Sequence, residues 1–130
     1  MSKLKVLCVC SMGMNRSKYL AGYLKRKGYN TRYGGIGPCK FDPEPKNPLK
    51  KEDIEWADII ITARDKHKPI LVNDYGVKNK KIIVLNVRDS RFAMSKIYPE
   101  FNKIDQKDFN KKWTYPQLRK SIKPYLPLKK

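Results

Sequence analysis

Acidic residues are scarce in this 130-residue chain, with 12 Asp and Glu against 30 Lys and Arg and a net charge of +18. Such a field draws polyanions, anionic membranes and acidic or phosphorylated proteins at low salt, and equally describes a chain whose lysines are solvated everywhere. No apolar run approaches the roughly 18 residues of a membrane span. Met1 to Lys5 lead straight into a strand-like segment without the apolar core of a signal peptide, so an intracellular, reducing cytoplasmic location is expected. Three cysteines in such a compartment do not form a disulfide framework. One histidine and no paired Cys-x-x-Cys give no metal site, and no cofactor is implied. Repeats and low-complexity tracts are missing too, and the length suits one hydrophobic core.

What is present is periodic. KLKVLCVC, residues 3 to 10, reads as a strand buried on both faces. From Arg16 to Lys27, Tyr19, Leu20, Tyr23 and Leu24 recur at helical spacing and Gly28 closes the helix. A second strand is expected over Asn30 to Tyr33, ended by the glycines that follow. The proline-rich stretch 39 to 50 reads as a loop. It is followed by a short helix at Lys51 to Ala57, the strand DIIITA, a helix around Lys66 to Asp74 and the strand KIIVLNV. Residues 90 to 113 lack clean periodicity, and a last helix starts at Pro116 with Leu118, Ile122 and Leu126 on one face. Alternating strands and helices predict a parallel sheet with helices on both faces and a ligand site beyond the strands' carboxyl ends. Cys10 and Asp89 both fall at that edge.

Between the first strand and helix lies CSMGMNRS. Backbone N–H groups of Ser11, Met12, Gly13, Met14, Asn15 and Arg16 can curl around an anion such as phosphate or sulfate, helped by the helix N-terminus. Arg16 supplies a planar fork for two oxygens at once. The same donors would stabilise a Cys10 thiolate, and Ser17 could donate its hydroxyl to the sulfur. A thiolate attacking phosphorus needs an acid for the leaving oxygen, for which Asp89 is the candidate; its alternative is a plain turn-forming Asp. Cys8 reads as a small buried residue and His67, among lysines, as surface. Cys39 is an exposed loop cysteine or a resolving thiol, Trp56 a packing residue, and Phe41 and Phe92 are candidate substrate walls.

Cys-x5-Arg-Ser after the first strand, with Asp89 after the last, resembles the low-molecular-weight protein tyrosine phosphatase superfamily along nearly the whole chain. IEWADIII, DKHKPIL, IIVLNVRD and YPQLRKSIKPYL carry the likeness, which is greatest to its divergent short branch. NRS and RKGYNTRYGGIG also resemble the RNA polymerase II tail phosphatases of that superfamily, which act on phosphoserine. The resemblance implies one phosphatase-I-like domain over residues 1–130, three-layer α/β/α with a central four-stranded parallel sheet. It further implies Cys10 as nucleophile, Arg16 as phosphate clamp, Ser17 as thiolate partner and Asp89 as general acid. The expected activity is protein tyrosine phosphatase, by a monomer acting on phosphorylated protein or peptide. Phosphoserine hydrolysis, thiol-linked arsenate reduction and nucleic-acid binding without catalysis stand as alternatives. Met12 and Gly13 replace the usual Gly-Asn of the loop, Asn15 replaces its second cysteine, and Asp89-Ser90-Arg91-Phe92 replaces Asp-Pro-aromatic.

Overall fold

A computed structural model describes residues 3–37 and 45–130. Four parallel strands, β1 (Lys5–Cys10), β2 (Asn30–Gly35), β3 (Ile59–Thr62) and β4 (Lys81–Val84), lie in the order β2-β1-β3-β4. Each strand is followed by a helix: α1 (Arg16–Arg26), α2 (Lys51–Trp56), α3 (His67–Asn73) and α4 (Arg91–Ser95) in turn. The chain leaves β1 toward β2 on one side and returns to β3 on the other, so the crevice at Cys10 is the switch point where such sheets bind ligands.

Alternation in β1 sets the layers. Val6 and Cys8 face a core completed by Leu20 and Leu24 of α1 and by Leu118 and Ile122 near the C-terminus. Leu7 and Val9 face the opposite core, completed by Ile54 of α2 and Leu71 of α3. Both strand faces are thus covered, which is why β1 carries no polar residue after Lys5. The architecture is the expected three-layer α/β/α fold around a four-stranded parallel sheet.

Two elements differ from the sequence expectation. β2 runs on through Gly34 and Gly35 as the partner of Val9 and Cys10. The glycines serve close approach here rather than a turn, because a Cβ on Gly35 would overlap the backbone of Met12 and Gly13. Residues 90 to 113 are largely helical: after α4 come a 3₁₀ turn (Pro99–Lys103) and α5 (Gln106–Phe109), which continues through a π-helical turn (Asn110–Thr114) into α6 (Tyr115–Ile122). Pro116 therefore does not start a helix. It lies just beyond the π turn, where the widened hydrogen-bond ladder accommodates its missing N–H. Met94, Phe101 and Phe109 form a small third core under this excursion, with Ile104 and Trp113 against it.

Candidate active site

The carbonyls of the loop after β1 are used on the side away from the helix. Cys10 O accepts from Ile36 N at 2.9 Å, Ser11 O from Gly37 N at 2.8 Å and Met12 O from Asn47 N at 3.0 Å, and Gly13 O accepts from the Asn47 side chain at 3.1 Å. In a trans peptide each carbonyl is antiparallel to the N–H that follows it, so the amides of residues 11 to 14 turn toward the opposite, concave side. Gly13 makes the bend at φ +76°, the left-handed region, and a side chain there would strike the backbone of Gly35 and Asn47. Asn47, which also reaches Tyr33 O, was not singled out from the sequence.

At the floor of this concavity Cys10 Sγ lies 3.1 Å from Ser17 Oγ and accepts from Gly13 N–H at 3.3 Å. Cys10 and Ser17 are almost fully buried. Arg16, also buried, donates from one terminal nitrogen to Val87 O at 2.8 Å. Its Nε lies 3.3 Å from Asp89 Oδ2 but is not aligned for a hydrogen bond, so a buried guanidinium donor has no acceptor among the described residues. The extended chain from β4 brings Asp89 here: Leu85 and Val87 continue the sheet by donating to Thr62 O and Ala63 O. Cys10, Ser11, Arg16 and Asp89 line one cavity of about 680 Å³.

His67 overturns the surface reading. It is fully buried at the start of α3, where Nδ1 accepts from Arg64 N–H at 3.2 Å, so Nε2 carries the proton and donates to Ser11 Oγ at 3.0 Å. Burial, and then the charges of Arg16, Lys66 and Arg64, depress its pKa from the ordinary 6.5 to about 3. The imidazole is therefore neutral, and it pins the first residue of the loop.

A second network holds Asp89. Asn15 Nδ2 donates to Asp89 Oδ2 at 2.9 Å and to Asn110 Oδ1 at 3.2 Å, while Asn15 Oδ1 accepts from Tyr115 O–H at 3.2 Å. Asn110 Oδ1 also accepts from Gln106 Nε2 at 3.0 Å and Thr114 Oγ1 at 2.9 Å, and Gln106 Nε2 donates to Asp89 O at 3.0 Å. The π turn supplies Asn110 and Thr114 to this cluster. Burial, then Tyr19 and Asp89, push the Tyr115 phenol up, keeping it a neutral donor. Tyr115 lies stacked on Tyr19, with centroids 4.0 Å apart.

Other candidates lie elsewhere. Phe92 is 70% exposed beneath Lys96, and on that helix the cavity wall is Ser90 and Ala93. Cys8 is buried in β1 with its thiol pushed up by desolvation and then by Cys10. Trp56 packs against the second core under Arg32. Asp105 caps α5 by accepting from Asp108 N. Phe41 and Cys39 lie outside the described residues.

No protein-family model matches the sequence, and no curated protein matches it. Solved structures do. The tyrosine phosphatase AmsI of Erwinia amylovora superposes with a TM-score of 0.64, covering 96% of this chain and 92% of its own at 13% identity. The chain has the low-molecular-weight protein tyrosine phosphatase fold. The low-molecular-weight protein tyrosine phosphatase of T. tengcongensis matches with a TM-score of 0.54 at 18% identity, over 93% of this chain and 99% of its own. The YwlE arginine phosphatase of Geobacillus stearothermophilus matches with a TM-score of 0.53 at 16% identity, over 98% of both chains. At these identities the likeness describes the fold, and the chemistry rests on this chain's own residues.

Proposed function

We propose that this chain is a phosphomonoester hydrolase of phosphorylated proteins, working through a cysteinyl-phosphate intermediate. The observation that carries the reading is the arrangement around one sulfur: Cys10 Sγ between the Ser17 hydroxyl and the Gly13 amide, in the same cavity as a buried Arg16 Nε–H that has no acceptor among the described residues. A phosphoryl group seated over Sγ would take its oxygens to the loop amides and to that Nε–H. The sulfur attacks phosphorus, forming the P–S bond as the P–O bond to the leaving group breaks, and Asp89 delivers its proton to the departing oxygen. Water then attacks phosphorus with Asp89 as base, the P–S bond breaks, and phosphate leaves with the Cys10 thiolate restored. Ser17 and Gly13 stabilise that thiolate as nucleophile and as leaving group.

Phosphotyrosine remains the first substrate to try. The same fold serves proteins named as tyrosine and as arginine phosphatases, so the fold does not select the residue type. Arsenate reduction needs further reactive thiols; Cys8, buried with its thiol pushed up, does not suit that role.

The test is hydrolysis of para-nitrophenyl phosphate. Wild type should turn it over, and Cys10→Ser should not, while still binding inorganic phosphate through the loop amides and Arg16. Undiminished hydrolysis by Cys10→Ser would remove Cys10 as the nucleophile. Arg16→Lys should also be severely impaired, because a point charge does not reproduce a two-oxygen grip.

A further inference from the structure

Around the mouth of the cavity stand Lys46, Arg64, Lys66 and Arg88, in addition to Arg16 at its base, and the one carboxylate among the described residues lining it is Asp89, already beside Arg16. Lys66 and Arg88 have no carboxylate within ion-pair distance among the described residues, and Arg64 has only the exposed Asp65, at 3.7 Å. The Arg64 guanidinium has its pKa lowered by burial and then by Arg88, with Arg16 adding to the effect, so these cations crowd one another. A single phosphomonoester dianion, held by the loop and Arg16, leaves that rim uncompensated among the described residues. No aromatic side chain is among the described residues lining this cavity.

Arg88 also borders a second cleft, of about 230 Å³, whose wall is apolar at Met94, Ile97 and Trp113 and polar at Asn86 and Gln117. Ile97 is 65% exposed and Met14, on the first cavity, 46%. Beside the phosphate position, then, come a cationic rim and, beyond Arg88, an apolar notch. Nucleic acid would satisfy the charge and leave the notch without a matching group, whereas a polypeptide can supply both.

Resting on the phosphatase reading above, we infer that the preferred substrate is a phosphorylated polypeptide segment whose target residue is flanked by further acidic or phosphorylated residues, with an apolar side chain for the Met94–Ile97–Trp113 notch. Arg64, Lys66 and Arg88 take the flanking anions. Because these contacts are partly solvated, they act on affinity and encounter rate and weaken as salt rises.

The experiment measures competition against para-nitrophenyl phosphate by short peptides carrying a non-hydrolysable phosphonomethyl-phenylalanine. Peptides with neutral flanks, with glutamate flanks, and with glutamate flanks plus a leucine are compared at low and high salt. The acidic peptide should bind roughly tenfold or more tighter than the neutral one at low salt, as expected for several added charge contacts, and the gap should shrink with salt. The leucine should add a gain that persists at high salt, as apolar burial does. In Lys66→Ala/Arg88→Ala, a change at two exposed positions, the acidic-to-neutral ratio should fall toward one. Equal binding of the acidic and neutral peptides, a ratio unchanged in the double variant, or stronger competition by a 5′-phosphorylated oligonucleotide of matched charge overturns the inference while leaving the hydrolase reading intact. Failure of wild type to hydrolyse para-nitrophenyl phosphate sinks the underlying reading, and the inference with it.

Discussion

His67 Nε2 donates to Ser11 Oγ across 3.0 Å, tying the helix after β3 to the first residue of the loop after β1. Because Nδ1 is occupied by Arg64 N–H, protonating the ring would break that bond and place a cation among Arg16, Lys66 and Arg64. His67 is the chain's one histidine, so its Hε1 proton resonance can be followed without ambiguity. It should not titrate between pH 8 and pH 5. A midpoint near 6.5 would show an exposed, ordinary ring.

The same group fixes a pH dependence of stability. With its folded pKa near 3 and the ordinary 6.5 in the unfolded chain, the unfolded state takes up the proton first as pH falls. Stability is therefore fully present above pH 6.5 and declines toward pH 3, by at most about 1.4 kcal/mol per pH unit from this residue. Urea unfolding at pH 7, 6 and 5 should show this decline in wild type and a shallower one in His67→Asn. Parallel slopes would assign the acid sensitivity to other groups.

Gly13→Ala should be among the most damaging single changes. An alanine pays about 1–3 kcal/mol for the left-handed backbone, and its Cβ meets the main chain of Gly35 and Asn47, which has no flexible end to move aside. The variant should lose several degrees in melting temperature and lose phosphate binding. Near-normal binding would mean that the loop has another conformation.

Much of this was readable because it is local. Cys10, Arg16 and Ser17 sit within one strand-loop-helix turn, where spacing decides contact, and Asp89 follows a strand whose end the apolar run announces. His67 was hidden by its lysine neighbours, although Leu71 one turn on shares its buried face and marks the inward side of α3. Asn110 was harder. The π turn puts Thr114 five positions after Phe109 before the spacing of four resumes at Leu118 and Ile122, so the buried pattern loses phase where Asn110 lies. Its partner Asn15 is 95 residues away in sequence, and no local signal links the two.

Asn110 is the hub that holds Asn15, and through it Asp89, so under the proposed mechanism it would be a positioning residue. Asn110→Ala should lower turnover of a substrate with a poor leaving group by roughly tenfold, a part of the roughly 10²- to 10⁴-fold that proton transfer by a positioned acid contributes. In an Asp89→Asn background the same change should cost much less, because the group that Asn110 helps to position is gone. An equal loss in both backgrounds would reduce Asn110 to a folding role.

Asp89 itself is tested by the leaving group. It lies at 3.3 Å from Arg16 and is held by Asn15 at its carboxylate and by Gln106 at its carbonyl, so Asp89→Asn can keep the geometry while removing the proton. With phosphotyrosine the loss should be roughly 10²- to 10⁴-fold, the usual worth of general acid catalysis. With an activated aryl ester, whose leaving oxygen needs little protonation, it should be far smaller. Single-turnover phosphorylation of Cys10 across a series of aryl phosphates separates this step from slow hydrolysis of the intermediate. A loss that grows with leaving-group pKa assigns the acid to Asp89. A constant loss across the series would make Asp89 an anchor for Arg16 and Asn15, and the exposed Asp108 on α5 would be the next carboxylate to test, since Asp105 is occupied in capping that helix.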